Sequence, residues 1–83
     1  MKVLFFARLR EALGAPELTL PANQRPPDVG SLRRWLIDSQ GGELAAALRE
    51  ANVYCAVNQR VVDDAHPLCD GDEVAFFPPV TGG

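Results

Sequence analysis

The chain opens on Lys2-Val3-Leu4-Phe5-Phe6-Ala7, in which every position from 3 to 7 is apolar. A near-continuous apolar run of strand length is the signature of a central strand covered on both faces, so residues 3–7 are predicted as one. Residues 9–14 are expected as a connection, with Gly14 at its turning point and Pro16 keeping it out of a helix. Glu17-Leu18-Thr19-Leu20 alternates and stops at Pro21, which predicts a half-exposed strand and makes the start of the chain a hairpin. Asp28 stands where a helix N-cap belongs. Val29, Leu32 and Leu36, at i, i+3 and i+7, give one apolar face to a helix over residues 29 to about 39. Trp35 lies beside that face and is expected at the edge of the core. Gly41-Gly42 breaks the helix, and residues 43–51 restart it with Leu44, Ala47, Leu48 and Ala51 on one stripe.

Residues 53–57 read as a third strand, Asn58-Gln59 as a turn, and Arg60-Val61-Val62 as a short returning strand. A loop punctuated by Pro67 leads to Asp70-Gly71-Asp72, where Gly takes positive φ without steric cost and the carboxylates can bond nearby N–H groups. The last strand, residues 73–77, points Val74 and Phe76 to one face and Ala75 and Phe77 to the other. One face must meet the helix. If the other is open, Phe77 is an aromatic of the kind that marks a partner surface, with Val61 as its neighbour. Pro78 and Pro79 then stop the pairing, having no N–H to give, and favour a stiff extended backbone. Val80, Thr81, Gly82 and Gly83 follow. Extended, residues 78–83 reach roughly 20 Å from the body. A Gly-Gly end passes through a slot that excludes side chains and leaves the terminal carboxylate of Gly83 open to close approach. The chain thus divides into a domain over residues 1–77 and a tail over 78–83.

Strands before and after one main helix imply an α+β fold, the helix lying across one sheet face. Eighty-three residues make a single domain, and a hydrophobic fraction of 47% argues against disorder. No apolar run approaches the ~20 residues of a membrane span, and the N-terminus has no small-residue cleavage site, so a cytoplasmic protein is expected. The net charge of −3 and the scattered basic residues disfavour nucleic acid, which needs a clustered basic face. Acidic residues crowd the last third: Asp63, Asp64, Asp70, Asp72 and Glu73. They fit either a solvated, turn-rich edge or a surface that steers a basic partner.

The two cysteines, Cys55 and Cys69, fit no metal-ligand spacing, so no metal is expected. Cys55 reads as a small buried hydrophobe on a strand, and Cys69 as a bystander next to a turn. His66, before Pro67, is expected to be structural. No glycine-rich loop opens a helix and no Walker motif is present, so any nucleotide chemistry belongs to a partner.

The stretches at 2–7 with Arg10-Glu11 behind them, Ala56-Val57-Asn58-Gln59, His66-Pro67-Leu68 and the whole of 70–83 resemble the ubiquitin-like sulfur carriers. They are most similar to the small subunits of molybdopterin synthase. The likeness runs end to end; residues 16–52 match only in pattern. It implies a ubiquitin-like β-grasp: a mixed sheet of about five strands, one main helix, a short second helix, and the first strand parallel to the last at the centre. It implies two partners, an E1-like adenylating enzyme that spends ATP on Gly83 and a large synthase subunit, in a heterotetramer of two small and two large subunits. Gly83 would become a glycyl adenylate and then a thiocarboxylate that donates sulfur to cyclic pyranopterin monophosphate. Pro78, Pro79, Val80, Thr81 and Gly82 would thread the tail into the partner. The chain itself would bind no cofactor and catalyse nothing alone. A sulfur carrier of thiazole synthesis and a protein-conjugating modifier share the same terminal logic and stand as alternatives.

Overall fold

The computed structural model of the chain describes residues 1–50 and 52–79. The elements run β1 (Lys2–Phe5), α1 (Arg8–Leu13), β2 (Glu17–Thr19), a 3-10 turn (Ala22–Gln24), α2 (Val29–Gln40), α3 (Gly42–Leu48), β3 (Tyr54–Val57), β4 (Arg60–Val62) and β5 (Glu73–Phe77). The five strands form one sheet in the order β2-β1-β5-β3-β4. β1 and β5 pair parallel, with Val3 opposite Val74 and Phe5 opposite Phe76; the other pairs are antiparallel. This is the ubiquitin-like β-grasp, with the parallel pair inside the sheet.

Period-2 alternation decides which side chains make the core. Val3, Phe5, Cys55, Val57, Val74 and Phe76 all face the helices and are buried. The helices return Leu9, Val29, Leu32, Leu36, Leu44 and Leu48 to the same cluster. The Phe5 and Phe76 rings stack at 6.0 Å across the parallel pair. Each large side chain removed from water here contributes about 1.5–3 kcal/mol, and one such layer is all a domain of this size can build. Trp35 packs on the margin of the cluster, as its position on the helix predicts.

α2 begins where the sequence says. The Asp28 carboxylate accepts a hydrogen bond from the Ser31 N–H at 2.7 Å, which satisfies an orphan donor of the first turn. That bond is the main reason the Asp28 carboxyl is held below the usual carboxylate range. The loop before β5 is stitched onto the same helix end. Val29 N–H donates to the His66 carbonyl at 3.1 Å and Gly30 N–H to the Asp64 carbonyl at 2.8 Å. A Cβ on Gly30 would lie 3.3 Å from that carbonyl, a tight contact that a side chain would relieve by moving the loop a few tenths of an ångström. His66 thus serves through its backbone.

Three expectations are corrected. Residues 9–14 are not a plain connection: Arg8–Leu13 is a helix, with Leu9 buried and Gly14 at φ 81° as its left-handed C-cap. Pro16 lies two residues past that cap, where a proline follows a helix without entering it. The segment after Gly41 is helical only over Gly42–Leu48, with Arg49 as C-cap; Ala51, placed on its stripe from sequence, lies outside the described residues. The opening strand is covered on one face only. Val3 and Phe5 are buried, whereas Leu4 is half-buried and Phe6 is exposed. The strand ends at Phe5, because Ala7 turns the chain sharply at φ 54°, ψ −130°.

Candidate functional site

Among the described residues no helix lies on the far side of the sheet, and the residues that alternation sends there form the candidate site. Ladder register sets them in rows: Leu4 is opposite Ala75, Ala75 opposite Ala56, and Ala56 opposite Val61. One row nearer the end of β5, Tyr54 is opposite Phe77, their rings 6.0 Å apart and tilted by 35°. Phe6, Tyr54 and Val61 are 48%, 47% and 66% exposed, values far above those of core residues of the same size. A depression of about 660 Å³ runs across this face. Leu4, Phe6, Ala75, Phe77, Pro78 and Pro79 form its apolar wall, and Gln59 and Glu73 are among the few polar groups beside it. Contiguous apolar surfaces of this kind are characteristic of protein–protein or membrane contacts and of ligand grooves.

Phe77 lies on this face, as alternation predicts, but it is half-buried rather than free, because Tyr54 leans on it. Val61 is on the same face, one row away. Phe6 was missed by sequence reasoning, which placed it inside a strand covered on both sides. The signal was present: an apolar run that alternation should have split into an inward Val3 and Phe5 and an outward Leu4 and Phe6.

The base of the tail is firmly held. β5 has hydrogen-bonded neighbours on both sides, and beyond the ladder Phe6 N–H donates to the Phe76 carbonyl at 3.2 Å. On the core side, the Arg33 guanidinium sits 5.3 Å from the Phe76 ring centroid and donates to Val53 O at 3.3 Å and to Asp64 Oδ1 at 3.0 Å. Pro78 and Pro79 continue from there along the wall of the depression. The remaining tail positions named from sequence, Val80, Thr81, Gly82 and Gly83, lie outside the described residues.

The other end of β5 is built from turn chemistry. Asn58 and Gln59 both take positive φ, 50° and 69°, as a two-residue turn between right-twisted strands requires. Asn58 Nδ2 donates to Asp72 Oδ1 at 2.9 Å, and Asn58 Oδ1 accepts from Glu73 N–H at 3.1 Å. The Asp72 carboxyl is held below its ordinary range, first by the Cys69 N–H bond at 2.8 Å and then by the Asn58 amide. Asp63 accepts from Ala65 N–H, Asp64 pairs with Arg33, and Asp70 pairs with Arg25 at 2.9 Å. Four of the five clustered acids are therefore committed to local turns and ion pairs, which favours the turn-rich edge over a steering field.

The thiols fall as expected. Cys55 is buried, and burial pushes its thiol up to about 12, far from a reactive thiolate. Cys69 is exposed beside the turn. Among the described residues no helix is long and apolar enough to cross a membrane.

A sequence profile of the ThiS family matches residues 3–83. The molybdopterin synthase sulfur carrier subunit of Escherichia coli K12 is 48% identical over 83 residues, covering 100% of this chain and 99% of that one. Among solved structures, a complex of subunits 1 and 2 of molybdopterin-converting factor from Helicobacter pylori contains a chain that superposes with a TM-score of 0.66. It is 26% identical and is covered to 96%, with 99% of this chain aligned. The small archaeal modifier protein 1 of Methanosarcina acetivorans superposes at 0.69, with 28% identity and coverage of 99% and 94%.

Proposed function

The chain belongs to the ThiS family, and from that premise we propose that it is the sulfur-carrier subunit of a molybdopterin synthase. The observation that supports this most is the continuity between the open face and the tail. The strand that crosses the middle of the apolar depression is the strand that becomes Pro78-Pro79. A partner that covers the face therefore meets the root of the tail at Pro78 and Pro79. Phe77, Val61 and Phe6 are the apolar anchors of that contact. Pro78, Pro79, Val80, Thr81 and Gly82 are the spacer, and Gly83 is the reacting end.

The chemistry follows from the terminus. A carboxylate is a poor electrophile, so Gly83 must first be activated. In an E1-like adenylating partner its oxygen attacks the α-phosphate of ATP and pyrophosphate leaves. A sulfur nucleophile then displaces AMP from the glycyl adenylate, giving a thiocarboxylate. Seated in the large synthase subunit, that soft anionic sulfur attacks cyclic pyranopterin monophosphate, and water later returns Gly83 to a carboxylate. A dithiolene needs two sulfurs, hence two charged chains per product, which suits two small and two large subunits. The chain is a co-substrate in this scheme: it binds no cofactor, and the acid–base groups are the large subunit's. The setting is the cytoplasm.

The test is intact mass after incubation with the adenylating enzyme, ATP and a sulfur source, alongside a thermal melt. Deleting Gly83, or adding one residue after it, should abolish sulfur gain and leave the melting temperature nearly unchanged. Sulfur gain by the shortened chain would overturn the reading. The likeness to an archaeal modifier protein favours a second use of the same terminus, an isopeptide bond to a lysine. The same mass measurement on cell extract separates the two, since a conjugate is heavier by a whole protein and a thiocarboxylate by one substituted atom.

A further inference from the structure

Among the described residues, three that are not glycine sit at positive φ: Ala7 at 54°, Asn58 at 50° and Gln59 at 69°. All three are on or beside the apolar depression, which Ala7 and Gln59 line directly. Strain of this kind persists where surrounding structure over-determines it, and it clusters at functional sites. Asn58 is accounted for, because it is among the residue types that tolerate the left-handed region and its amide is bonded to Asp72 and Glu73. Gln59 is not. The second position of this turn favours glycine, glutamine is not a left-handed residue, and its side-chain amide makes no hydrogen bond to any described residue. It is exposed and stands at the far end of the depression from Pro78 and Pro79, beside Glu73.

We propose that Gln59 is a specificity-determining contact for the large synthase subunit, its amide hydrogen-bonding a main-chain peptide group of that subunit. This rests on the docking reading above. The surrounding wall is apolar and supplies burial without direction, whereas one carboxamide offers an acceptor and two donors, the complement of a peptide group. Placed a strand's length from the tail root, roughly 17 Å along five residues, it fixes the rotation of the carrier on the partner. The apolar contacts at Phe77, Val61 and Phe6 have no directional bond of this kind. Glycine would make the turn easier and would remove this contact.

The experiment compares full-length wild-type chain with Gln59→Gly, Gln59→Ala and Phe77→Ala. It measures melting temperature and, by calorimetric titration, affinity for the large subunit. Gln59→Gly should melt a few degrees higher while binding about three- to tenfold more weakly, the worth of one net hydrogen bond. Gln59→Ala keeps a Cβ at positive φ, so it should lose the same affinity without the gain in melting temperature. Affinity then follows the amide, and stability follows φ. Unchanged affinity in both Gln59 variants, with Phe77→Ala weakened, overturns this inference and leaves the docking reading standing. Unchanged affinity in all three overturns both. Weakening in the glycine variant but not in the alanine one assigns the loss to a loosened turn and also overturns the inference.

Discussion

Phe76→Ala and Phe77→Ala, made side by side, separate the two faces of β5. Phe76 is fully buried between the Phe5 ring and the Arg33 guanidinium. Truncating a buried Phe costs about 3–5 kcal/mol, against a total of roughly 4–12 kcal/mol for a chain of this length. Phe76→Ala should therefore lose from about a quarter to all of the stability of the domain. Phe77 is half-buried, so about half the ~1.5–3 kcal/mol of a fully buried Phe is at stake, with ~0.5–1 kcal/mol more from the Tyr54 ring. The sum is about 1.5–2.5 kcal/mol, a fall in melting temperature of roughly 6–20 °C in a domain of this size. The variant stays folded at 25 °C. If Phe77 anchors the large subunit, its affinity should drop by more than ~1 kcal/mol, or about fivefold, as loss of a central aromatic does. Thermal melts and titration against the large subunit read both quantities. A drop in stability with affinity unchanged would place Phe77 in the core economy of the sheet and refute its role at the interface.

The thiols give a quick check on burial: in native protein a thiol reagent should modify Cys69 promptly and Cys55 only after denaturant is added, because the Cys55 thiol is buried and raised to about 12. Replacing both by Ala should leave sulfur gain at Gly83 intact, with a stability loss of about 1 kcal/mol from Cys55; loss of transfer in that folded double variant would mean that a thiol takes part. Asp72 tests the turn before β5. Its carboxyl is depressed in the folded state, so its contribution is present above the ordinary value near ~3.9 and is lost as pH falls through the lower folded value. Asp72→Ala should thus melt lower than wild type at neutral pH, and the two curves should converge in acid; a gap that stays constant with pH would show that the charge of Asp72 is not what stabilises the turn, and coincident curves that Asp72 does not bear on stability.

Much of this was legible in the chain, for identifiable reasons. Asp28 could be read as a cap because its short carboxylate can take a backbone donor and an apolar helical stripe begins at the next residue, and the structure has it bonding Ser31. The split of Val74 and Phe76 from Ala75 and Phe77 follows from strand geometry alone. What failed did so where one residue was asked to decide too much. Pro16 was read as forbidding a helix that ends before it. The apolar run at the start was read as buried on both sides, since sequence cannot distinguish a side chain kept for the core from one kept for a partner. Leu4 and Phe6 lie on the open face. The pairing of β1 with β5 was also beyond local pattern, being a contact between the two ends of the chain; the resemblance supplied it.

The two kinds of apolar side chain explain the architecture. A domain of 83 residues can build one core, and here every helix is spent on one face of the sheet. The cost is an open apolar face, which in a lone protein invites aggregation. The gain is mechanical. β5, whose end becomes the tail, is flanked by β1 and β3, and its Phe76 is pinned from the core side by Arg33 and from the backbone side by Phe6. Force or thermal motion at Pro78 therefore meets a rigid body. A tail rooted in an edge strand would fray with that edge, and its terminus would be delivered over a wide cone. Here Pro78 and Pro79 follow directly from a strand paired on both sides, along the wall of the open face. On the function proposed above, the same carboxylate goes to an adenylating site and later to a pterin, and a fixed root for the tail would serve both complexes. The open face must then stay free of the core, and the helices all lie on the other side.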